Sequence, residues 1–416
     1  MKCKTQQKSN THFQFANDLK APIFNNILNQ HDCLSANLAR LKNNKYEKMK
    51  LEHIDTPALF IDIETVEHNL AEMQRRINQL GLTLRPHTKA HKIPQLAHKQ
   101  IEHGAQGICT SKLGEAEVML QGGITDVLIT TPIAGQAKYQ RLIDLHSQYP
   151  QATLYQVIDH PQHVESIAEL AKQAGITVNL LIEVESGQQR CGVAVGQGLL
   201  EIIEKVVQTE GVHYAGIQAY SGHLQLIKGF EQRQQQARSA VTELFDFIDT
   251  QLKPRHLAPE IISGGGTGTY QAYQGLAYTE IQAGSYLFMD NSYCNIGDEQ
   301  DANLNQQFNS ALKVLSTVIS NPTSQRAVID AGMKSLSIDL GMPIVESRPD
   351  LTYQCGGDEH GILHLSEDNP PSIGETLVLT PSHCDTTLNN FDHLYVVRQG
   401  EVCLLYTSPS PRDRYG

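Results

Sequence analysis

Residues 260–286 read EIISGGGTGTYQAYQGLAYTEIQAGSY, and the fold turns on this stretch. Two short apolar runs, EIISGG (260–265) and EIQAGS (280–285), each lead directly into glycine and hydroxyl residues. Consecutive glycines let backbone N–H groups turn toward an anion, and Ser or Thr hydroxyls add donors. Paired loops of this kind after the last two strands are how parallel barrels bind a single phosphate. A lone glycine run would read equally well as a flexible loop. Two in register with strand ends favour the anion site, with Ser263, Gly265, Gly266, Thr267, Gly284, Ser285 and Tyr286 as its candidates.

The same strand-then-helix rhythm extends upstream through LTLRPH (82–87), GICTS (107–111), DVLITT (126–131), LYQVID (154–159), VNLLIEVE (178–185) and HYAGIQAY (213–220). Between them the spacing is helical. In TVEHNLAEMQRRINQLG, Leu70, Met73, Ile77 and Leu80 fall three or four apart, and Gly81 follows as a stop. Eight such runs fit a closed (β/α)8 barrel over residues 49–305 better than an open sheet, with the first strand-like run, in DTPALFID, free to join a second domain. From about Phe308 the pattern changes to β-type runs separated by Gly, Pro and Asn. A mostly β domain is therefore expected over 306–405. Residues 1–48 are polar with little apolar periodicity, and the tail 406–416 ends in TSPSPRDRYG. Both read as disordered or foreign to the enzyme.

The chain has 416 residues, room for a large barrel and a smaller partner. Its net charge of −12 is the wrong sign for gripping phosphate backbones, which argues against nucleic acid as a partner. No run approaches the ~20 apolar residues of a membrane span, and no signal peptide opens the sequence. Eight scattered cysteines without a CxxC pair do not form a disulfide framework, so a reducing cytoplasm is the expected location.

Further candidates lie at predicted strand ends. In RPHTKAHK (85–92), Lys89 sits near cationic Arg and His, which would depress its pKa and leave a neutral amine able to form a Schiff base with an aldehyde cofactor. Arg190, Gln218, Tyr220 and His223 follow the fifth and sixth strands. Arg, Tyr and His converging on one mouth could hold a cofactor ring and serve as acid or base. In TPSHCDTTLNNFDH, His383 and Asp385 lie two apart in a segment read as extended, so both side chains would reach one divalent ion from the same side. A polar turn would also account for that pair taken alone.

Together these motifs resemble the fold-type III pyridoxal phosphate enzymes, specifically the D-threonine aldolase and D-serine dehydratase family. The resemblance spans roughly Met49 to Leu405 and includes DTPALFID, RPHTKAHK, ESGQQRCGV, QAYSGH, SGGGTGT, QAGSY and PSHCD, in family order. It implies an alanine-racemase-like barrel followed by a β domain, usually as a homodimer, acting on a small D-amino acid. It makes Lys89 the Schiff-base lysine for pyridoxal 5'-phosphate. It makes His87, Arg190, Gln218 and Tyr220 cofactor contacts, the two glycine loops the phosphate grip, and His383 with Asp385 the metal pair. The family's dehydratase branch typically has Cys at the second metal position and zinc as the ion, whereas its aldolase branch has Asp there. A carboxylate at 385 favours Mn2+ or Mg2+, with Zn2+ as the alternative. The implied reaction is retro-aldol cleavage of a D-3-hydroxy-α-amino acid, D-threonine giving glycine and acetaldehyde, with His223 and Tyr220 beside Lys89 as catalytic candidates. The alternatives are dehydration of D-serine or D-3-hydroxyaspartate to a 2-oxo acid and ammonia, and a non-catalytic pyridoxal phosphate carrier.

Overall fold

A computed structural model describes residues 49–299, 303–304, 307–346, 348–366 and 369–407. The polar stretch 1–48 and the tail beyond Thr407 lie outside the described residues. The first strand, β1 (Ala58–Asp62), does not enter the barrel. Asp62 then caps helix α1 (Ile63–Gln79) by accepting from the Thr65 N–H at 2.8 Å. The apolar stripe of this helix is buried at Leu70, Met73 and Ile77, and Gly81 ends the turn at φ 68°.

Eight parallel strands follow: β2 (Thr83–Leu84), β3 (Ile108–Thr110), β4 (Asp126–Ile129), β5 (Thr153–Ile158), β6 (Val178–Glu183), β7 (Val212–Ala219), β8 (Ile261–Gly264) and β9 (Glu280–Ile281). They stand in the order β2-β9-β8-β7-β6-β5-β4-β3. The two ends of this sheet meet through a parallel bridge between His87 and Cys109, with Cys109 N–H donating to the Pro86 carbonyl at 2.8 Å. The barrel is thereby closed. Its interior carries an apolar layer of Cys109, Leu128, Val157, Leu181 and Ala215. Arg85 is fully buried and ion-paired to Glu280, at 2.8 Å, and to Asp126, which open β9 and β4.

The second body is a nine-stranded sheet. Its further strands are β10 (Leu312–Thr323), β11 (Arg326–Ile329), β12 (Ile344–Val345), β13 (Leu351–Cys355), β14 (Gly361–Leu365), β15 (Thr376–Thr380), β16 (His393–Arg398) and β17 (Glu401–Thr407). The main path runs β13-β14-β11-β10-β1-β16-β17, with β15 on β10 and β12 on β15. Strand β1 sits inside this sheet, antiparallel to β10 and parallel to β16. Strand β1 thus ties the barrel to the C-terminal sheet. No described helix is long and apolar enough to cross a membrane.

Candidate active site

The loop after β2 is fixed before any side chain acts. The His87 N–H donates to the Ala283 carbonyl at 3.1 Å, which brings the loops after β2 and β9 together. A Cβ on Gly284 would lie 2.6 Å from the His87 carbonyl oxygen, so only glycine permits this approach. His87 Nδ1 accepts the Lys89 backbone N–H at 3.2 Å, which leaves the proton on Nε2 for Thr130 Oγ1 at 3.1 Å. Burial, with the Lys89 ammonium beside it, brings the His87 pKa down to about 3, and the ring is neutral.

Lys89 projects from this loop and pairs with Asp385 of the C-terminal domain. The expected depression of Lys89 is corrected here. Burial pulls its pKa down, but the charge and hydrogen bond of Asp385 outweigh burial and hold it above the ordinary value. Arg85, the cation expected nearby, is instead consumed inside the barrel by Glu280 and Asp126. The Lys89 side chain keeps 43% of its surface accessible because the mouth is open, although protein surrounds the amine closely enough for desolvation to be strong.

The segment carrying His383 and Asp385 is also not extended. His383 is the N-cap of a short helix, Cys384–Leu388, and Asp385 lies in its first turn. The helix starts there because Asp290 accepts the Cys384 N–H at 3.0 Å while also accepting the Tyr293 N–H at 3.0 Å. Burial raises the Asp290 pKa to about 6. Cys384 is buried. His383 Nδ1 hydrogen-bonds Asp339 Oδ2 at 2.7 Å, and Ser337 Oγ and Thr386 Oγ1 hold the other Asp339 oxygen at 2.5 and 3.1 Å. With Nδ1 so engaged, Nε2 is the nitrogen left for an ion. One imidazole nitrogen and one carboxylate suit a divalent cation whose other positions are water or substrate. Among the described residues no group of three or more His, Cys, Asp or Glu is arranged to hold a metal.

The glycine loops form a cradle. Gly265 has φ 66°, and a Cβ on Gly266 would lie 2.5 Å from Gln225 Oε1. Thr267 Oγ1 accepts the Tyr286 N–H at 3.0 Å, joining the loops after β8 and β9. Among the described residues, no protein acceptor takes the backbone N–H of Gly265, Thr267 or Ser285. That is a fitting set of donors for a phosphate. Gln282 Nε2 reaches Ser263 Oγ at 2.8 Å and Gln218 Oε1 at 3.0 Å, and Gln218 Nε2 donates to the Thr130 carbonyl at 2.8 Å, so Gln218 is part of a buried network under the mouth. The Tyr286 side chain turns away into the core, where its hydroxyl meets Gln100 Nε2 at 3.2 Å. Only its backbone faces the cradle loop.

Arg190 lies over the Tyr220 ring at 5.8 Å and 3.7 Å from Glu183. Burial raises the Tyr220 pKa against the opposing pull of Lys89 and Arg190, so the three share one corner. Burial likewise raises Glu183 to about 7, despite Arg190. His223 stands apart, itself exposed, on the 3-10 turn Gly222–Leu224 against Gly187. A cavity of about 810 Å³ between barrel and C-terminal domain is lined by Lys89, Asp385, Lys92, Lys112 and Glu115 among others, and not by His223. Asp339 and Asp290 escape a reading of the sequence, since each lies far along the chain from His383 in a loop without a motif.

A closed parallel barrel with a lysine at its mouth, a glycine cradle and an appended β domain defines an alanine-racemase-like enzyme. Residues 61–292 match the alanine racemase N-terminal domain and residues 311–397 the serine dehydratase domain. The chain belongs to the D-threonine aldolase and D-serine dehydratase family of lyases, whose members imply pyridoxal phosphate as cofactor. It is 38% identical over 355 residues to a D-threonine aldolase of Arthrobacter sp, covering 85% of this chain and 91% of that one. It is 35% identical over 358 residues to a 3-hydroxy-D-aspartate aldolase of Paracoccus denitrificans, with coverages of 85% and 91%. The crystal structure of a D-threonine aldolase from Filomicrobium marinum superposes with a TM-score of 0.83 at 34% identity, covering 89% of this chain and 99% of that one.

Proposed function

We propose that the protein cleaves D-3-hydroxy-α-amino acids by a retro-aldol reaction, D-threonine giving glycine and acetaldehyde, as a cytoplasmic homodimer dependent on pyridoxal phosphate and a divalent ion, Mn2+ or Mg2+. The observation that carries this reading is Lys89 facing Asp385 across the domain junction, with His383 beside it and a cavity large enough for cofactor and substrate. Bound pyridoxal phosphate supplies the electron sink for bond breaking at the α-carbon. Lys89 anchors it. The N–H groups of Gly265, Thr267 and Ser285 hold its phosphate, with Ser263, Gly266 and Gly284 shaping the cradle. His87, Gln218, Arg190 and Tyr220 orient its ring, and Glu183 steadies Arg190.

His383 and Asp385 would hold the ion, which would supply Lewis acidity toward the 3-hydroxyl. Asp339 keeps the His383 ring turned toward it. His223 stands outside the cavity and would reach the hydroxyl proton only through water. As the Cα–Cβ bond breaks its electron pair passes to Cα, the hydroxyl oxygen becomes the aldehyde carbonyl, and the proton released from that hydroxyl balances the one Cα gains.

The test is incubation with pyridoxal phosphate, Mn2+ and D-threonine, with products identified by mass. Glycine with acetaldehyde, abolished by a chelator and by Lys89→Ala, is the expected result. 2-Oxobutanoate with ammonia would make the enzyme a dehydratase. No turnover, with a chelator-insensitive yellow cofactor band, would make it a carrier.

A further inference from the structure

We propose that Lys112, supported by Lys138, forms a subsite for a second anionic group of the substrate, so that the preferred amino acid carries a carboxylate on its β-carbon. The inference rests on the retro-aldol reading above. Its ground is a second, smaller cavity of about 160 Å³ beside the main one, in the angle between the loops after β3 and β4. The two cavities share Ser111 and Lys112, so the small one, the annex, adjoins the active-site cavity across these residues. Lys138 and Arg141 line the annex with Leu113 and Ile133.

The partners of the cations decide which of them is available. Lys89 is taken by Asp385, Lys92 by Asn389 at 2.5 Å, and Arg141 by Glu117. Lys112 and Lys138 are both exposed, and neither has a side-chain ion pair or hydrogen bond among the described residues. The acid of this loop, Glu115, is buried and turns its carboxylate to the backbone N–H groups of Ser111, at 2.7 Å, and Lys112. That contact fixes the loop; the Lys112 charge still acts on the buried carboxylate, but no side-chain ion pair joins the two. Lys112 on both cavities and Lys138 on the smaller one place two ammonium groups without ion pairs beside the site, and in a chain of net charge −12 they select for a dianionic guest. The annex is too small for the cofactor and suits one carboxylate with its carbon.

The test uses the enzyme loaded with pyridoxal phosphate and Mn2+. D-Aspartate and D-alanine both lack a 3-hydroxyl and cannot be cleaved, so their dissociation constants are read from the change in cofactor absorbance. The kcat/KM ratio of D-3-hydroxyaspartate to D-threonine is then measured. Wild type should favour the dianion in both assays, and added NaCl should erode the preference. Lys112→Gln should lower both ratios roughly tenfold, the scale of one charge-assisted hydrogen bond, and Lys112→Arg should retain most of the preference. Ratios unchanged in both Lys112→Gln and Lys138→Gln would overturn the subsite. Equal losses for both substrates would also overturn it, because Lys112 would then serve the α-carboxylate common to all of them. If Lys112→Gln fails to fold, Lys138→Gln carries the same comparison. A shifted binding ratio without glycine from either substrate would sink the retro-aldol reading and leave the subsite standing; glycine from both with fixed ratios would do the reverse.

Discussion

Asp339 shows how a residue absent from every motif can govern the site. It holds His383 Nδ1 at 2.7 Å and is itself held by Ser337 and Thr386. The ring cannot rotate without breaking this bond, and outer partners of this kind typically set metal affinity within a factor of 10–100. Asp339→Ala should therefore weaken Mn2+ binding about 10- to 100-fold by titration calorimetry while cofactor absorbance persists. An unchanged affinity would remove His383 from the ion's coordination. Glu183 makes a different prediction. Its ordinary pKa of 4.5 is raised to about 7 by burial, so between those values the unfolded chain releases a proton that the folded chain keeps. Stability must fall as pH rises from about 4.5 to about 7 and be level above that as far as this group is concerned. Glu183→Gln removes the linkage. Its melting temperature should decline less than that of wild type between pH 5 and pH 8, and equal declines would assign the pH dependence to other groups.

At the scale of elements, the barrel was readable and its neighbour only partly so. All eight apolar runs from LTLRPH to EIQAGS become strands, because a strand buried on both sides must be apolar along its length and glycine or polar residues must mark its end. Strands β12–β14 are less legible, since they have two to five residues each and β13 is only half apolar: Leu351 and Tyr353 face inward, Thr352 and Gln354 outward. The His383–Asp385 segment reads as extended from sequence because its helix depends on Asp290, 94 residues away from Cys384, and no local propensity announces that contact. In the same way Lys89 lost its expected cationic neighbour: Arg85 points into the barrel, where Glu280 and Asp126 wait on other strands. Long-range partners decide such cases, and a linear pattern does not contain them. Loop chemistry was more legible, and it yields a prediction. Gly284 has an unexceptional φ of −129°, so its requirement is purely one of space against the His87 carbonyl. Gly284→Ala should cost about 1–3 kcal/mol in urea unfolding as the two loops part. It should also lower retention of the cofactor's yellow absorbance after dialysis, and full stability with full retention would show that the loops tolerate separation.

On the scale of the whole molecule, chain order and spatial order disagree. The first described strand is an interior member of the C-terminal sheet, with Ala58–Ile61 registered on β10 and Phe60–Asp62 on β16. Four of its five residues are buried, so neither face nor edge of β1 is prepared for water. Asp385 crosses to Lys89, and Asn389 to Lys92, from one short helix segment, which locks the two bodies at the active site as well. The parts that would hold the cofactor lie on the barrel and those that would hold the ion lie on the sheet, so chemistry that needs both requires this junction intact. The same architecture should make the two bodies fold as one cooperative unit. A fragment of residues 49–305 leaves β1 with two unpaired edges and should be insoluble or bind a hydrophobic dye strongly. Co-expression with residues 306–407 should restore a soluble complex with a single unfolding transition. A soluble, dye-silent fragment 49–305 with a sharp transition of its own would show instead that the barrel is independent of the sheet, and that β1 lends the barrel no stability by joining it.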